Sequence, residues 1–377
     1  MRRPPLHHVG DGTFHNPWLE ESGWEERSGG FWRWQWERLT EHRAPNPAPE
    51  DLPSASPRIA RPAAPRNEIR ITWVGHATFL LQIGGLNLLT DPHWSRRASP
   101  LQWLGPARFV PPGVSWDEVP RIDAVLLSHD HYDHLDDPTV RRLARRFRED
   151  LRWITPLGYA GCLEERGAGA VTELDWWEET RIDFGDAGVR ITCVPAQHWT
   201  RRTPWKQNRR LWSAWIVEAP DGRRIFFGGD SGYFPGFQEI GERLGPFTAA
   251  LLPIGAYEPR WFMRPSHMNP EEAVRAYRDL GGEGIMVGMH WGTFRLTDED
   301  PLEPPVRTRA AWRDAGLPEE RLRIPRHGET VVLGGNTAMR RPGGWEGKVW
   351  MADDFDGPLP PEIQRGFAGE NPDAAES

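Results

Sequence analysis

The sequence predicts a layered α/β fold in a single domain, and three observations support this. Short apolar runs follow one another from residue 69 onward, and each ends in polar or turn residues. Their length and β-branched content are typical of strands. Helical patterns separate several runs, and those at residues 138–147 and 270–280 open with a proline, which a first helical turn accepts. Strands that alternate with helices indicate helices packed on sheets.

Composition excludes several classes of protein. The chain has 377 residues, of which 27% are charged and 38% hydrophobic, as in an ordinary globular protein. Its net charge of −8 argues against a nucleic-acid binder, which needs a basic face. Cys162 and Cys193 form no C-x-x-C pair, so we expect no disulfide framework, no thiolate metal site and a reducing, cytoplasmic location. No apolar stretch approaches the ~18 residues of a spanning helix.

The domain organisation follows from where the strand pattern begins and ends. Residues 1–68 are rich in Pro, Gly and Trp, with seven prolines between positions 45 and 65, which predicts an irregular N-terminal arm. Within the arm, residues 31–39 have the pattern of one short amphipathic helix. We expect the catalytic domain at residues 69–335. Residues 336–377 are rich in Pro, Gly and acidic side chains and predict a C-terminal extension.

Ligand-type side chains stand where the predicted strands end. Five runs each end at an Asp or a His, and these are Asp91, His129, His198, Asp230 and His290. Strand ends of this kind gather along one edge of an α/β sheet, where such folds place ligands. The segment SHDHYDHLD at residues 128–136 contains an H-x-H-x-D-H cluster. We therefore expect these side chains to converge on one site.

Imidazole and carboxylate groups are ligands of Zn²⁺ and similar metals, and a catalytic ion takes about three of them plus an open position. The predicted metal ligands are His129, His131, Asp133, His134, His198, Asp230 and His290. The cluster supplies two ligands to each of two ions, the later histidines complete both sets, and Asp230 bridges them. Two such ions would hold a hydroxide between them and clamp a phosphoryl displacement.

Two other interpretations of the cluster are less favourable. A single histidine is more often a surface or helix-capping residue, but this explanation weakens for so many ligands at strand ends. A flavin-linked di-iron oxidoreductase would keep a similar site, yet no Gly-rich or flavodoxin-like segment follows. Hydrolysis is therefore the preferred chemistry.

The H-x-H-x-D-H cluster with its later His, Asp and His resembles the metallo-β-lactamase superfamily. That resemblance implies an αββα sandwich with a dinuclear site on one edge. Within the superfamily, NPW at residues 16–18, TWVGHATFL, ELDWWEE, GAYEPRWFM and HWGTF resemble the phospholipases D that hydrolyse N-acylphosphatidylethanolamine. The likeness runs from about residue 14 to residue 333. It implies a phosphodiesterase with two Zn²⁺ ions per chain that yields phosphatidic acid and N-acylethanolamine through a metal-bridging hydroxide.

The resemblance also implies roles for individual residues. His129, His131 and His198 fall on the ligands of one zinc. The ligands of the second zinc fall on Asp133, His134 and His290, and Asp230 is shared as the central catalytic carboxylate.

Tyr132 and His267 fall on the substrate contacts. The alternatives are a packing aromatic for Tyr132 and a helix cap for His267. A cationic His267 would act in catalysis by neutralising charge that develops on the phosphate. Asp91 orients a ligand or the hydroxide, and proton transfer to the leaving alkoxide is its less favoured catalytic role. His76 also ends a strand, where a buried core histidine is an equal alternative.

Partners follow from the arm and from the resemblance. The aromatic segment at residues 31–39, with Trp18 and Trp24 before it, would contact the membrane interface from the inner face, or else pack on the sandwich. The resemblance favours peripheral contact with a phospholipid substrate and a homodimer. Two other functions stay open: a metallohydrolase of a water-soluble phosphodiester or sugar-phosphate lactone, and a non-catalytic lipid-binding scaffold.

Overall fold

The computed structural model describes residues 5–19, 43–52, 54–185, 187–203 and 207–334, together with residues 30, 33–34, 36–38 and 40 of the arm. These residues belong to one compact unit that ends at Gly335. The predicted extension at residues 336–377 and Trp24 lie outside the described residues. Among the described residues, no helix has the length and apolar character needed to cross a bilayer.

Fourteen strands in the described part of the chain form two seven-stranded sheets. The first sheet has the order β14-β1-β2-β3-β4-β5-β6, and its strands are β1 (Glu68–Gly75), β2 (Thr78–Ile83), β3 (Leu86–Thr90), β4 (Ala124–Leu126), β5 (Arg152–Pro156), β6 (Ala170–Leu174) and β14 (Thr330–Gly334). The second has the order β13-β12-β11-β10-β9-β8-β7, and its strands are β7 (Glu179–Phe184), β8 (Ala187–Val194), β9 (Ala214–Glu218), β10 (Arg224–Phe227), β11 (Ala249–Pro253), β12 (Ile285–Met289) and β13 (Leu322–Arg323).

The helices of the body are α1 (Asp137–Phe147), α2 (Ala160–Glu164), α3 (Gly236–Leu244), α4 (Arg260–Met263), α5 (Pro270–Asp279) and α6 (Glu303–Asp314). Helices α1 and α5 agree with the two predicted helical patterns to within one residue at each end. Helix α5 begins at a capping box, since the Asn269 side chain accepts from the Glu272 amide, which satisfies a free helix-end donor. Asn269 is therefore the cap of this helix, and the alternative of a cap at His267 does not apply.

Side chains on the strands of the first sheet point alternately into two different apolar layers. On β2, Phe79 and Leu81 face the core between the sheets, whereas Leu80 faces the outer layer, because successive strand side chains point to opposite faces. Val140 and Leu143 of α1 pack in that outer layer. On the second sheet, α3 and α5 bury Phe237, Ile240, Val274 and Tyr277 against the core. These layers confirm the predicted αββα sandwich.

Strand direction brings the predicted ligands to one edge. β3 and β4 pair in parallel, and β10, β11 and β12 also run parallel to one another. Asp91 follows β3 directly and His290 follows β12 directly. β4 is shorter than the predicted run, so His129 lies three residues beyond its end. The carboxyl ends of these strands thus deliver their ligands to one rim, as predicted.

The described part of the arm packs on the sandwich. Trp34 is 7% exposed, and its ring stacks on Phe262 with 5.0 Å between centroids. The Trp18 ring lies 4.8 Å from that of Phe234. Trp36, by contrast, is 69% exposed. Packing on the sandwich, one of the two arrangements expected for the arm, is thus seen for Trp18 and Trp34, whereas Trp36 is open to solvent.

Trp215 on β9 links the two sheets next to the site, which gives a stability prediction. Its buried indole N–H donates to the Leu127 carbonyl at 3.0 Å, two residues before His129. Trp215→Phe removes this bond and part of the ring, so we expect the free energy of unfolding to fall by about 1–3 kcal/mol. Denaturant titration measures it, with the exposed Trp36→Phe as control. Equal stability of the two variants would show that the cross-sheet bond contributes nothing.

Candidate metal centre

Three histidines form the first ligand set. The Nδ1 atom of His131 lies 3.0 Å from Nε2 of His129 and 3.1 Å from Nε2 of His198. All three side chains are largely or fully enclosed at the carboxyl edge of the sheets. The structure thus brings together the three residues predicted to hold one ion.

The second set combines two imidazoles with a carboxylate. Nε2 of His134 and Nε2 of His290 lie 3.2 Å apart. Oδ2 of Asp133 lies 3.3 Å from Nε2 of His134 and 3.5 Å from Nε2 of His290. The three side chains predicted to hold the second ion are therefore also brought together.

Asp230 lies between the two sets. Its Oδ2 atom is 3.2 Å from Nε2 of His134, and its Oδ1 atom is 3.0 Å from Nε2 of His290. The same Oδ2 is 3.9 Å from Nε2 of both His129 and His198. One carboxylate thus reaches both groups of ligands, which is the position that the sequence analysis expected.

Outer hydrogen bonds decide which ring nitrogen faces the site. His134 donates from Nδ1 to Asp91 at 2.7 Å, and His198 donates from Nδ1 to the Ser266 carbonyl at 3.0 Å. Since the Ser128 hydroxyl donates to Asp91, His129 donates its Nδ1 proton to that hydroxyl at 2.9 Å. Each of these three rings therefore turns its Nε2 atom toward the site. Such partners fix the tautomer of metal-binding histidines.

The donor set fits two divalent ions. Ligand atoms around a tetrahedral ion at ~2.0–2.1 Å lie about 3.4 Å apart, close to the 3.0–3.2 Å between the facing nitrogens. Nitrogen atoms that face each other at this distance gain little from direct contact, and a cation between them would bind both. Nitrogen and carboxylate oxygen together suit zinc and related metals.

Electrostatics differ between the two halves of the site. Burial, reinforced by the neighbouring imidazoles, lowers the pKa of His129 and His198 well below the ordinary value, so both stay neutral, as ligands must. Burial also disfavours a charged His134, but the charges of Asp230 and Asp133 outweigh it and raise the pKa of His134 well above its usual range. The second half thus collects positive charge to balance its carboxylates.

Asp91 supports the ligands from outside the site. It is fully buried, accepts the Ser128 amide at 2.7 Å and accepts from His134. Its carboxylate does not line the cavity among the described residues. This placement suits an orienting role and puts the carboxylate out of direct contact with a substrate in the cavity.

The backbone around the site is held in unusual conformations. The backbone φ angles of His76, Asp91 and His290 are 57°, 34° and 65°. Residues other than glycine rarely adopt this left-handed conformation. Such strain is typical of functional sites. Gly229, just before Asp230, has φ of 55°, and a Cβ there would lie 2.8 Å from Cβ of Ser128. This position therefore requires glycine.

A cavity of about 550 Å³ opens over Asp230 and Asp133. Apolar side chains dominate its wall, and they include Trp34, Trp199, Phe262, Met263 and Leu296. Both predicted substrate contacts also line it. The Tyr132 hydroxyl donates to the Arg202 carbonyl at 2.9 Å, and Nδ1 of His267 lies 3.9 Å from Oδ2 of Asp230.

Two residues contact the candidate ligands although the sequence did not predict these contacts. His76 is a buried histidine, as one of its two interpretations expected, but its Nε2 lies 2.8 Å from Oδ2 of Asp133, so it also contacts a candidate ligand. Asn16 of the arm is buried, and its amide donates to the His198 carbonyl at 2.8 Å. Signals existed for both, since His76 ends a strand run and Asn16 belongs to the NPW motif. Nothing in their spacing indicated which ligand each would contact.

Comparison with known proteins agrees with this geometry. The profile of the β-lactamase superfamily domain matches residues 86–291, which contain both ligand sets. A metallo hydrolase from Ignicoccus hospitalis superposes with a TM-score of 0.54 at 24% identity, over 71% of this chain and 99% of its own.

Sequence relatives point the same way. An uncharacterized protein of Mycobacterium tuberculosis is 44% identical over 73% of this chain and 72% of its own length. The N-acyl-phosphatidylethanolamine-hydrolyzing phospholipase D 1 of Caenorhabditis elegans is 42% identical over 62% of this chain and 67% of its own length. This chain therefore belongs to the β-lactamase superfamily, among its metal-dependent hydrolases of the metallo-β-lactamase fold.

Proposed function

We propose that the protein is a phosphodiesterase of the phospholipase D type, which uses two Zn²⁺ ions to hydrolyse N-acylphosphatidylethanolamine or a similar phospholipid. The observation that carries the proposal is the position of Asp230, which reaches both ligand sets below an apolar cavity. The likeness to the nematode phospholipase D supports the substrate class.

In the proposed reaction, water attacks phosphorus and the bond from phosphorus to the ethanolamine oxygen breaks. Phosphatidic acid and N-acylethanolamine leave, and the proton from water passes to the ethanolamine oxygen. Two divalent ions, when bound, supply Lewis acidity and a nucleophile generated from water near neutral pH. The protein orients the ligands through Asp91, Ser128 and Ser266 and encloses the reacting group.

Two polar side chains on the cavity wall are proposed to meet the phosphate. His267, with 14% of its side chain exposed, would as an imidazolium neutralise charge that grows on the phosphate oxygens. Tyr132 already donates to the Arg202 carbonyl, so its contact with substrate requires the hydroxyl to turn. We therefore propose His267 as the stronger of the two contacts.

The wall of the cavity favours hydrolysis of a lipid over hydrolysis of a water-soluble substrate and over a non-catalytic scaffold function. Aromatic and aliphatic side chains on that wall would bury acyl chains, whereas a small soluble diester would leave them in contact with water. A complete double ligand set has no use in a purely structural scaffold. We also propose that the two ions are zinc and that the protein forms the homodimer implied by the family resemblance.

A lipid panel tests the substrate directly. We expect metal-loaded protein to release N-acylethanolamine from N-acylphosphatidylethanolamine in mixed micelles, detected by mass spectrometry, faster than it hydrolyses a soluble diester such as bis(p-nitrophenyl) phosphate. The cavity wall supplies the difference, since only the lipid buries its chains there. Faster turnover of the soluble diester would favour the water-soluble alternative, and no turnover of either would favour the scaffold.

Carboxylate variants test the roles inside the site. We expect Asp230→Asn to lower kcat by on the order of a thousandfold or more, because the shared charge is lost. Asp91→Asn leaves the ligands present but poorly oriented, and we expect a loss of about 10- to 100-fold in activity or metal affinity. Asp221→Asn, in an exposed turn, is the matched control. Metal content by mass spectrometry accompanies each assay, and equal effects at both buried positions would contradict this division of roles.

Metal binding is expected to release protons. The charges of Asp230 and Asp133 overcome burial and raise the pKa of His290 to about 9, and the pKa of His134 is also raised. The Nε2 atoms of the two rings lie 3.2 Å apart, so the pair shares a proton without metal, while an ion binds only the neutral imidazoles. We expect metal loading to release protons and the metal affinity to rise as the pH approaches about 9. Calorimetry in buffers of different ionisation enthalpy measures this, and a buffer-independent enthalpy would contradict it.

A further inference from the structure

A second group of metal-ligand side chains lies outside the candidate metal centre. It consists of His7 and His8 of the arm and of Asp175, which directly follows β6. The Nε2 atom of His7 lies 2.6 Å from Oδ1 of Asp175, and Nε2 of His8 lies 2.8 Å from Oδ2. The ligand atoms that the three side chains offer all lie within 4.8 Å of one another. We call these three residues the arm cluster.

The backbone of the arm is folded so that two consecutive side chains reach the same carboxylate. Neighbouring side chains of an extended strand point to opposite faces. Here the His8 amide instead donates to the Pro5 carbonyl at 3.0 Å and closes a turn. The His15 amide donates to the His7 carbonyl at 3.0 Å and holds that turn in place. The local backbone thus directs both imidazoles toward Asp175.

Aromatic packing fixes one of the two imidazoles. The His7 ring stacks on that of Trp176 with 4.0 Å between centroids, and the Trp176 indole N–H donates to the Trp212 carbonyl at 2.7 Å in the core. His7 is 5% exposed, whereas 30% of the His8 side chain is exposed. The core therefore holds one ligand rigidly, while the other leaves the arm cluster accessible to an ion and to water.

The donor set of the arm cluster repeats one found in the candidate metal centre. Two imidazole nitrogens and one carboxylate also form the second ligand set there, and nitrogen with oxygen suits zinc and related divalent ions. Burial disfavours a charged Asp175, but its hydrogen bonds with His7 and His8 hold the pKa of this carboxyl below its usual value. The carboxylate is thus anionic near neutral pH, as a metal ligand must be.

Hydrogen bonds alone are the alternative explanation of the arm cluster. The separations of 2.6 and 2.8 Å are those of hydrogen bonds, whereas ligand atoms around a tetrahedral ion lie about 3.4 Å apart. An ion would therefore widen each contact by roughly 0.6–0.8 Å, a shift that the partly exposed His8 permits. Since both Nε2 atoms face the same carboxylate, one ion placed between them would bind all three groups.

We propose that the arm cluster binds a divalent cation of its own, zinc or a similar metal, which fastens the N-terminal arm to the sandwich. Asp175 follows the two histidines by 168 and 167 positions, so the ion would join distant parts of the chain. Such an ion adds its binding free energy to the stability of the folded arm. The proposal goes beyond the proposed function, because it needs neither a lipid substrate nor catalysis.

The segment fastened in this way leads directly to the candidate metal centre. The Phe14 amide donates to the Asn208 carbonyl at 2.9 Å, and the Asn16 side chain donates to the His198 carbonyl at 2.8 Å. Both contacts belong to the same described stretch of the arm as His7 and His8. The ion would therefore secure the part of the arm that contacts the backbone of a candidate ligand.

Metal counting on the full-length chain, without a histidine tag, tests the proposal. The probe is Zn²⁺ alone in equilibrium dialysis, with bound metal per chain measured by mass spectrometry. We expect His8→Gln and Asp175→Asn each to bind about one equivalent less than the original protein, because each variant lacks one of the three ligands. Glutamine at position 8 can still donate a hydrogen bond to Asp175, so the variant separates metal binding from hydrogen bonding.

His15→Gln is the matched control. It removes a histidine from the same segment, but the Nε2 atom of His15 donates to the Leu6 carbonyl. We expect this variant to bind as much metal as the original protein. We also expect the rise in Tm that Zn²⁺ produces to be smaller in His8→Gln by about 2 °C or more and unchanged in His15→Gln. Circular dichroism shows whether each variant is folded.

Two outcomes would overturn the proposal, and either would leave the arm cluster held by hydrogen bonds alone. They are equal metal content in the original protein and His8→Gln, and a rise in Tm with Zn²⁺ that is the same in both. The measured difference does not depend on how many ions the candidate metal centre holds or on any substrate. A protein that hydrolyses no phospholipid but shows this difference would defeat only the proposed function.

Discussion

The structure depends on the burial of three carboxylates around one imidazole. Asp91, Asp133 and Asp230 all lie within 3.3 Å of a nitrogen of His134. Charges removed from water are very costly unless they are paired and hydrogen-bonded. His76, His134 and His290, together with the amide and hydroxyl of Ser128, supply that pairing in the protein itself. Divalent ions would complete it, and this explains why so much of the surrounding structure serves to aim nitrogen and oxygen atoms at two points.

The sandwich makes such an arrangement possible because it fixes the positions of the ligands from rigid elements. The candidate ligands come from the ends of β4, β8, β10 and β12, which belong to both sheets. A buried indole joins the sheets at Leu127, next to the cluster of histidines. Left-handed backbone at Asp91 and His290 turns each side chain inward immediately after its strand. The core therefore supports the strain at the site.

Sequence alone could predict the layers and the side chains that gather at the candidate metal centre, because both depend on local patterns. Apolar runs and their polar ends give the strands, and the ligands follow where parallel strands end. The contacts of His76 and Asn16 could not be predicted in this way, since each depends on which side chains meet across the fold. The H-x-H-x-D-H spacing does not show that Asp91 would contact His134, and nothing in the arm's composition distinguishes the buried Trp34 from the exposed Trp36. Long-range packing decides these points.

The arm has a consequence for the order in which the protein can be completed during its synthesis. Asn16 contacts a residue 182 positions later, and the Trp34 indole donates to Asp298, which is 264 positions later. At about 5–20 residues per second, the ribosome needs roughly 15 to 50 s to deliver that second partner. During this interval the tryptophans of the arm have no sandwich to cover them. The nascent chain must therefore keep an aromatic segment from aggregating until about four-fifths of the 377 residues have been made.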